Sequence, residues 1–220
     1  MTRLRYTASE LRFVSKVFRL TVFVRGRRAP LAVSQPLTCD AVRVGMRAMP
    51  TAPADLDPTK ARHLRDAFGA FATGVTVVTA VGADGGRVGL TANSLTSVSL
   101  DPPLLLFCPA RGASALPTLR ASRRFAVNVL AADQTAVADR FARRDVDRFA
   151  GATWHDLDGL PVLNGALASF ACSLEAEHDG GDHVVVVGRV LALRCHGGHD
   201  PLLYFRGAYR RVHVPRDPPT

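Results

Sequence analysis

The chain between residues 75 and 212 alternates short apolar runs with breaks rich in glycine or polar residues. The runs are rich in β-branched residues, which is typical of strands. The clearest runs cover residues 75–81, 87–93, 104–108, 124–130, 168–178 and 183–195. Helical spacing of apolar residues predicts one helix from Lys60 to Gly74, capped by Thr59, and another over residues 134–144, capped by Asp133. A short helix or turn is predicted over residues 114–122.

This pattern predicts about seven strands and only two or three helices, so few parallel crossover units are possible. The glycine-rich turns at residues 82–86 and 179–182 each separate two strand-like runs, as in β-hairpins. The glycines near Gly82 are not followed by a helix, and no G-x-G-x-x-G motif is present, which argues against a Rossmann fold. We therefore expect an antiparallel barrel or sandwich with attached helices.

One strand-like stretch, "GLTANSLTSVSLDPP" at residues 89–103, is unusually polar for the edge of a core. Neither face of a regular strand would be apolar here, and the pair Asn93–Ser94 interrupts the alternation. A bulge or turn there would expose backbone N–H groups and hydroxyls together, which suits a flat, acceptor-rich ligand with a phosphate tail. An ordinary Ser/Thr-rich turn is the alternative.

The net charge of +9 is concentrated in the first part of the chain. Residues 1–50 contain ten basic and two acidic residues, and the remainder is almost balanced. We interpret residues 1–56 as a basic, disordered extension and residues 57–215 as the folded domain. Two alternatives stay open, a start assigned too far upstream of Met46 or Met49 and an arm that binds nucleic acid. A disordered tail is the simpler interpretation of a basic arm, and we expect no nucleic-acid partner.

The four cysteines show no metal-binding spacing, and no secretory signal or membrane-length apolar run is evident. We therefore expect reduced cysteines, a cytoplasmic location and no membrane partner. The segment "CHGGHD" at residues 195–200 has metal-binding residue types, but a turn is the commoner explanation, and we predict no metal site. Ser94 and Ser97 lie in no G-x-S-x-G motif, so a hydrolase is not indicated.

Residues 72–109, "ATGVTVVTAVGADGGRVGLTANSLTSVSLDPPLLLFCP", closely resemble the flavin reductase family with an FMN-binding split barrel. These proteins are the short-chain reductase components of two-component flavin-dependent monooxygenases. The resemblance continues through "RFAVNVL", "RFAGATWHDLDGLPVLNGALASFAC", "GDHVVVVGRV" and "PLLYFRGAYRRV", and it covers about residues 64–212. It implies a mainly β, six-stranded antiparallel Greek-key split barrel with a few flanking helices, usually a homodimer with flavin near the subunit interface.

The same resemblance implies reduction of FMN or FAD by NADH or NADPH, with hydride passing from nicotinamide C4 to flavin N5. The reduced flavin would then be supplied to a partner monooxygenase. Two alternatives stay open, an oxidoreductase that keeps a tightly bound FMN for another acceptor and a non-catalytic flavin-binding protein. The sequence does not distinguish NADH from NADPH or FMN from FAD.

The resemblance also implies a set of site residues. The isoalloxazine ring and ribityl chain would contact Thr91, Ala92, Asn93 and Ser94, with backbone contacts from Ser97 and Val98. The loop from Cys108 to Ser114 would approach the phosphate or ribityl end, with Arg111 and Ser114 as candidates. His183 would lie at the nicotinamide side, although a lone histidine is more often an ordinary surface or core residue. Further pocket candidates are Phe149, Tyr204 and Arg206, and core packing is the simpler explanation for the two aromatic residues.

Overall fold

The computed structural model describes residues 55–212. The predicted basic extension, residues 1–56, lies outside the described residues except for its last two. The predicted domain, residues 57–215, is described as far as residue 212. Within this described part, no helix has the length and apolar character needed to cross a membrane.

The described chain forms twelve strands and three helices. The helices are α1 (Ala61–Phe68), α2 (Leu116–Ser122) and α3 (Thr135–Ala142). The strands of the first half are β1 (Thr73–Gly74), β2 (Thr76–Val81), β3 (Arg87–Ala92), β4 (Thr96–Leu100), β5 (Pro103–Phe107) and β6 (Arg124–Val129). Those of the second half are β7 (Trp154–Leu157), β8 (Leu160–Leu163), β9 (Ala168–Gly180), β10 (His183–Cys195), β11 (Leu203–Phe205) and β12 (Ala208–Arg210).

Seven of these strands form the principal sheet, in the order β3-β2-β6-β9-β10-β5-β4, and every neighbouring pair is antiparallel. Two smaller antiparallel sheets contain β1-β11-β12 and β7-β8. The predicted mainly β, antiparallel class with few helices is confirmed. The principal sheet has seven strands, counting the short edge strand β4, where the resemblance implies a six-stranded barrel.

The strands form where β-branched and aromatic residues can be buried. Five of the six residues of β2 are buried, and buried and partly exposed residues alternate along the first half of β10. One apolar cluster lies between the principal sheet and α2 and includes Phe107 and Phe125, whose ring centroids are 5.3 Å apart. A second cluster lies beneath α3 and includes Phe141. Two members of the first cluster, Phe107 and Val184, are next in the chain to the predicted site residues Cys108 and His183.

Some predicted element boundaries were wrong. The first helix ends at Phe68 rather than Gly74, and Gly69 occupies its C-cap position. The helix cannot continue to Gly74 because Thr73 of β1 pairs with Tyr204 of β11. The hydroxyl of Thr59 bonds Asp57 instead of capping α1. Likewise Gln134, not Asp133, occupies the N-cap position of α3. The β7–β8 hairpin was not predicted.

Candidate functional site

The polar stretch is divided by a loop at residues 93–95, which joins β3 to the edge strand β4. The Asn93 side chain is exposed and makes no hydrogen bond to another residue between 55 and 212. The Ser94 hydroxyl accepts a hydrogen bond from the backbone N–H of Cys108 at 2.8 Å and lies 3.4 Å from its carbonyl oxygen. The loop is therefore anchored through Ser94 to the end of β5, while Asn93 remains available to a ligand.

Ser97 and Val98 lie on β4, where both are exposed. The pairing between β4 and β5 shifts between Ser97 and Ser99, so Val98 forms a bulge. Bulges on edge strands leave backbone groups unpaired and re-aim side chains. The loop at residues 93–95 is the interruption predicted at Asn93–Ser94, and the bulge at Val98 is a second irregularity that was not predicted.

Thr91 and Ala92, the first two predicted ligand residues, form hydrogen bonds within the protein. The Thr91 hydroxyl donates a 2.6 Å hydrogen bond to the carbonyl of Ala138 in α3. Ala92 is buried, and its carbonyl accepts a 2.8 Å hydrogen bond from the Thr76 hydroxyl. These two residues therefore fix the direction in which the chain enters the exposed loop.

The loop after β5 meets the turn between β9 and β10. Its residue Ala110 forms an isolated antiparallel bridge with His183, and the Arg111 backbone N–H donates to the carbonyl of Asp182 at 3.0 Å. The Arg111 side chain donates from Nε to the carbonyl of Gly181 at 2.5 Å and forms an ion pair with Asp179. The structure thus brings two predicted residues, Arg111 and His183, into one contact region.

His183 begins β10 with its imidazole about half exposed. Its Nδ1 lies 2.6 Å from Oδ1 of Asp182. The hydrogen bond to His183 holds the pKa of the Asp182 carboxyl below its usual range, so the carboxylate acts as the acceptor. The proton of a neutral imidazole is consequently on Nδ1, and Nε2 is left as an acceptor toward solvent or a ligand.

Cys108 is half-buried, and burial raises the pKa of its thiol. The side chain is therefore a neutral thiol at physiological pH. Its contribution to a binding surface would come from the backbone held by Ser94 and from a small apolar surface.

Arg148 is a residue of this region that the sequence analysis missed. Its Nη1 donates to the Ser114 hydroxyl at 2.9 Å and to the carbonyl of Gly89 at 3.0 Å. Its Nε and Nη2 donate to the carbonyl of Arg143 at 2.9 and 2.8 Å. The only sequence signal was its place beside Phe149 in the "RFAG" motif. Arg148 therefore bonds both Ser114 and Gly89, the first residue of the polar stretch.

The three remaining pocket candidates make none of the hydrogen bonds that join the loops described above. Phe149 packs against Phe141 and Trp154, and the Arg87 guanidinium carbon lies 4.9 Å from its ring centroid. Tyr204 lies in β11 with its ring 5.6 Å from that of Tyr209. Arg206 lies in the exposed β11–β12 turn, where its backbone N–H donates to the Gly69 carbonyl.

Two of the cavities in the described part of the chain have volumes of about 270 Å³ each. One adjoins the candidate site and is lined by Arg87, Val88, Gly89, Val146, Asp147, Arg148 and Phe149. The other, between α2 and β9, has none of the predicted residues in its lining: Arg120, Arg123, Leu174, Glu175, Ala176 and Glu177. Of the predicted site residues, only Phe149 lines the first cavity, and Arg148 connects this cavity to Ser114.

The family model described as "Flavin reductase like domain" matches residues 68–213. The chain belongs to this family. The "Flavin-dependent monooxygenase, reductase subunit HsaB" of Rhodococcus jostii is 42% identical over 166 residues, which are 75% of this chain and 83% of that protein. The "Probable flavin reductase" of Rhizobium meliloti is 50% identical over 149 residues, 67% of this chain. Those residues make up only 48% of the Rhizobium meliloti protein, about half its length.

A solved structure of the NADH:FAD oxidoreductase SgcE6 of Streptomyces globisporus, in complex with NAD and FAD fragments, is also similar. It is 40% identical with a TM-score of 0.70, and the match covers 74% of this chain and all of that chain. The family and fold class predicted from the sequence are confirmed by these matches.

The groups at the candidate site suit a flavin. The exposed Asn93 carboxamide and the backbone of the bulged edge strand β4 offer donors for ring carbonyls and nitrogens. Arginine guanidinium groups, which bind phosphate well, lie beside the loop from Cys108 to Ser114. Gly112 in that loop has open space around it, so a ligand could approach the backbone closely.

Proposed function

We propose that this protein is an NAD(P)H-dependent flavin reductase that supplies reduced FMN or FAD to a partner monooxygenase. The observation that carries the proposal is the membership in the flavin reductase family, combined with an exposed polar loop that Ser94 anchors to Cys108, next to the loop that meets the His183 turn. The predicted enzyme class, a flavin oxidoreductase, agrees with the similar proteins named above. The partner is proposed because HsaB is named as the reductase subunit of a flavin-dependent monooxygenase.

Each segment of the site has a proposed part in binding. Asn93 and the backbone of residues 92–98 would hold the isoalloxazine ring and ribityl chain, with Ser94 keeping that loop against Cys108. Ser114 and Arg148 would lie toward the phosphate end. Flavin and nicotinamide together supply the hydride-transfer chemistry, so the protein mainly sets their distance and orientation.

His183 would contribute to the nicotinamide side. With its proton directed to Asp182, its Nε2 can accept a hydrogen bond from the carboxamide of a nicotinamide ring. Phe149 lines the cavity next to Arg148, and Tyr204 and Arg206 lie in and directly after β11. Phe149 and Tyr204 belong to the second apolar cluster, so we propose that they act by supporting the site's framework.

We also propose that the protein is a homodimer. Four large apolar side chains are exposed on β4 and β10, namely Val98 at 47%, Leu100 at 81%, Leu191 at 50% and Leu193 at 61%. Exposed apolar groups of this kind are typical of interaction surfaces, and β4 also carries proposed flavin contacts. A cytoplasmic location is proposed because Cys108, Cys172 and Cys195 are all free thiols.

The deciding experiment is steady-state oxidation of NADH and NADPH at 340 nm with added FMN or FAD. Activity that saturates with free flavin, and that falls strongly in the double variant Asn93→Ala/Ser94→Ala, is expected. Thr59→Ala, which removes an exposed hydroxyl at the start of α1, is the matched control and should retain full activity.

Other outcomes would replace the proposal with an alternative. A yellow protein that turns over without added flavin would indicate a tightly bound FMN used for another acceptor. Flavin binding without oxidation of either nucleotide would contradict the reductase proposal and indicate a binding protein.

A further inference from the structure

The turn between β9 and β10 is held by the loop after β5 through several contacts at once. Two are backbone hydrogen bonds of 3.0 Å, from Arg111 N–H to the Asp182 carbonyl and from Val184 N–H to the Pro109 carbonyl. The Arg111 side chain adds its bond to the Gly181 carbonyl and its ion pair with Asp179. Arg111 therefore contacts the turn through its backbone N–H and through the Nε and Nη2 of its side chain.

Asp179 also shapes the turn from within. Its Oδ1 accepts a 2.9 Å hydrogen bond from the backbone N–H of Gly181, a residue with φ of +75°. The backbone bond from Gly181, followed by the bonds from Arg111, holds the pKa of the Asp179 carboxyl below its usual range. The carboxylate is thus ionised at neutral pH and joins the two halves of the contact.

Two other acidic residues of β9 form ion pairs that lack this geometry. Glu175 pairs with Arg189 of β10, and Glu177 pairs with Arg120 of α2. Neither carboxylate bonds the backbone of the turn. Glu175 lies on the same strand as Asp179, although its side chain is 36% exposed where that of Asp179 is 79% exposed. The Glu175–Arg189 pair therefore serves as a comparison ion pair that does not contact the turn.

We propose that Arg111 and Asp179 are positioning residues that hold the β9–β10 turn against the loop after β5 and thereby set the place of His183. The catalytic part of this inference rests on the proposed reductase function. Because the Nε and Nη2 of Arg111 both bond the turn, its main role is to connect the loop after β5 to the nicotinamide side rather than to bind phosphate. A displaced turn would move the imidazole relative to the nicotinamide and would leave the Asn93 loop unchanged.

The test compares Asp179→Ala, Arg111→Ala and Glu175→Ala in the full chain. Losing a charge-assisted contact should raise the KM for NADH or NADPH by roughly three- to tenfold in the first two variants. The KM for flavin should change less than about twofold. The Glu175→Ala variant should match the wild type, because neither Glu175 nor Arg189 bonds the backbone of the turn. An increase in the flavin KM of Arg111→Ala, with an unchanged nucleotide KM, would overturn the inference and indicate a phosphate ligand.

Hydrogen–deuterium exchange provides a readout that does not depend on turnover. The amides of Arg111 and Val184 should exchange faster in Asp179→Ala than in the wild type, while the amides of β2 and β6 stay protected. Unchanged exchange at both amides would overturn the positioning role. If the wild type oxidises neither nucleotide, the reductase proposal fails, and the exchange data still decide whether the pair holds the turn. Glu175→Ala again serves as the control.

Discussion

Asn128 is the buried polar residue whose removal tests the packing argument most directly. It lies in β6 with no solvent exposure. Its Nδ2 donates to the Val77 carbonyl at 3.0 Å, and its Oδ1 accepts hydrogen bonds of 2.9 Å from Leu163 N–H and from the Ser169 hydroxyl. One carboxamide thus joins β2, β8 and β9 to β6, and the substitution Asn128→Ala breaks all three bonds.

The expected loss follows from the groups that remain. The Leu163 N–H and the Ser169 hydroxyl would stay buried without their acceptor, at a cost of about 1–3 kcal/mol each. The Ser169 hydroxyl can rotate, so its share lies at the low end, and the deleted side-chain atoms leave a small cavity. We therefore expect Asn128→Ala to lower the free energy of unfolding by about 4 kcal/mol. Ser169→Ala, which removes only one donor, should cost about 1 kcal/mol.

The assay is urea unfolding followed by fluorescence of Trp154, the single tryptophan of the chain, which packs against the second apolar cluster. The double variant Asn128→Ala/Ser169→Ala should lose less than the sum of the single losses, because both substitutions remove the same hydrogen bond. If Asn128→Ala lowered the free energy of unfolding by less than about 1.5 kcal/mol, the Leu163 N–H and the Ser169 hydroxyl would not be left buried without an acceptor, and the reasoning would be refuted. Strict additivity would refute the bond to Ser169.

Two further predictions concern a buried glycine and a buried thiol. In Gly188→Ala the new Cβ would lie 2.5 Å from the ring of Phe125, so unfolding in urea should be easier by about 1–3 kcal/mol. A Cβ at Gly112 would meet open space, so Gly112→Ala should leave the free energy of unfolding unchanged. Equal losses of unfolding free energy in the two variants would contradict the close packing of Gly188 against Phe125. Burial raises the pKa of Cys172 to about 12 from 9.0, so this thiol should resist Ellman's reagent at pH 8 while exposed Cys195 reacts. Because the pKa of Cys172 is higher in the folded than in the unfolded protein, the stability linked to its neutral thiol is present below pH 9 and is lost as the pH rises toward 12. Rapid labelling of Cys172 in the native protein would refute its burial.

The sequence alone identified most strands because their signal is local. The runs that became β2, β6 and β10 contain several valines, with two threonines in β2, and such β-branched residues favour an extended backbone wherever one face can be buried. The interruption at Asn93–Ser94 was also visible, since it breaks the alternation of apolar and polar positions. The end of α1 was not visible in this way. It depends on the pairing of Thr73 with Tyr204, which lies far along the chain.

The arrangement of the site was decided by tertiary structure. Family resemblance named Ser94, Arg111 and His183, yet no spacing in the sequence indicates that Ser94 holds Cys108 or that Arg111 grips the turn at Asp179. Those partners are 14 and 68 residues apart, and the antiparallel sheet brings them together only after the strands between them have paired. Local residue chemistry therefore determined which strands form and which groups are available for binding. The long-range register of the sheet determined which of those groups meet, because side-chain contacts across strands have no local sequence signal.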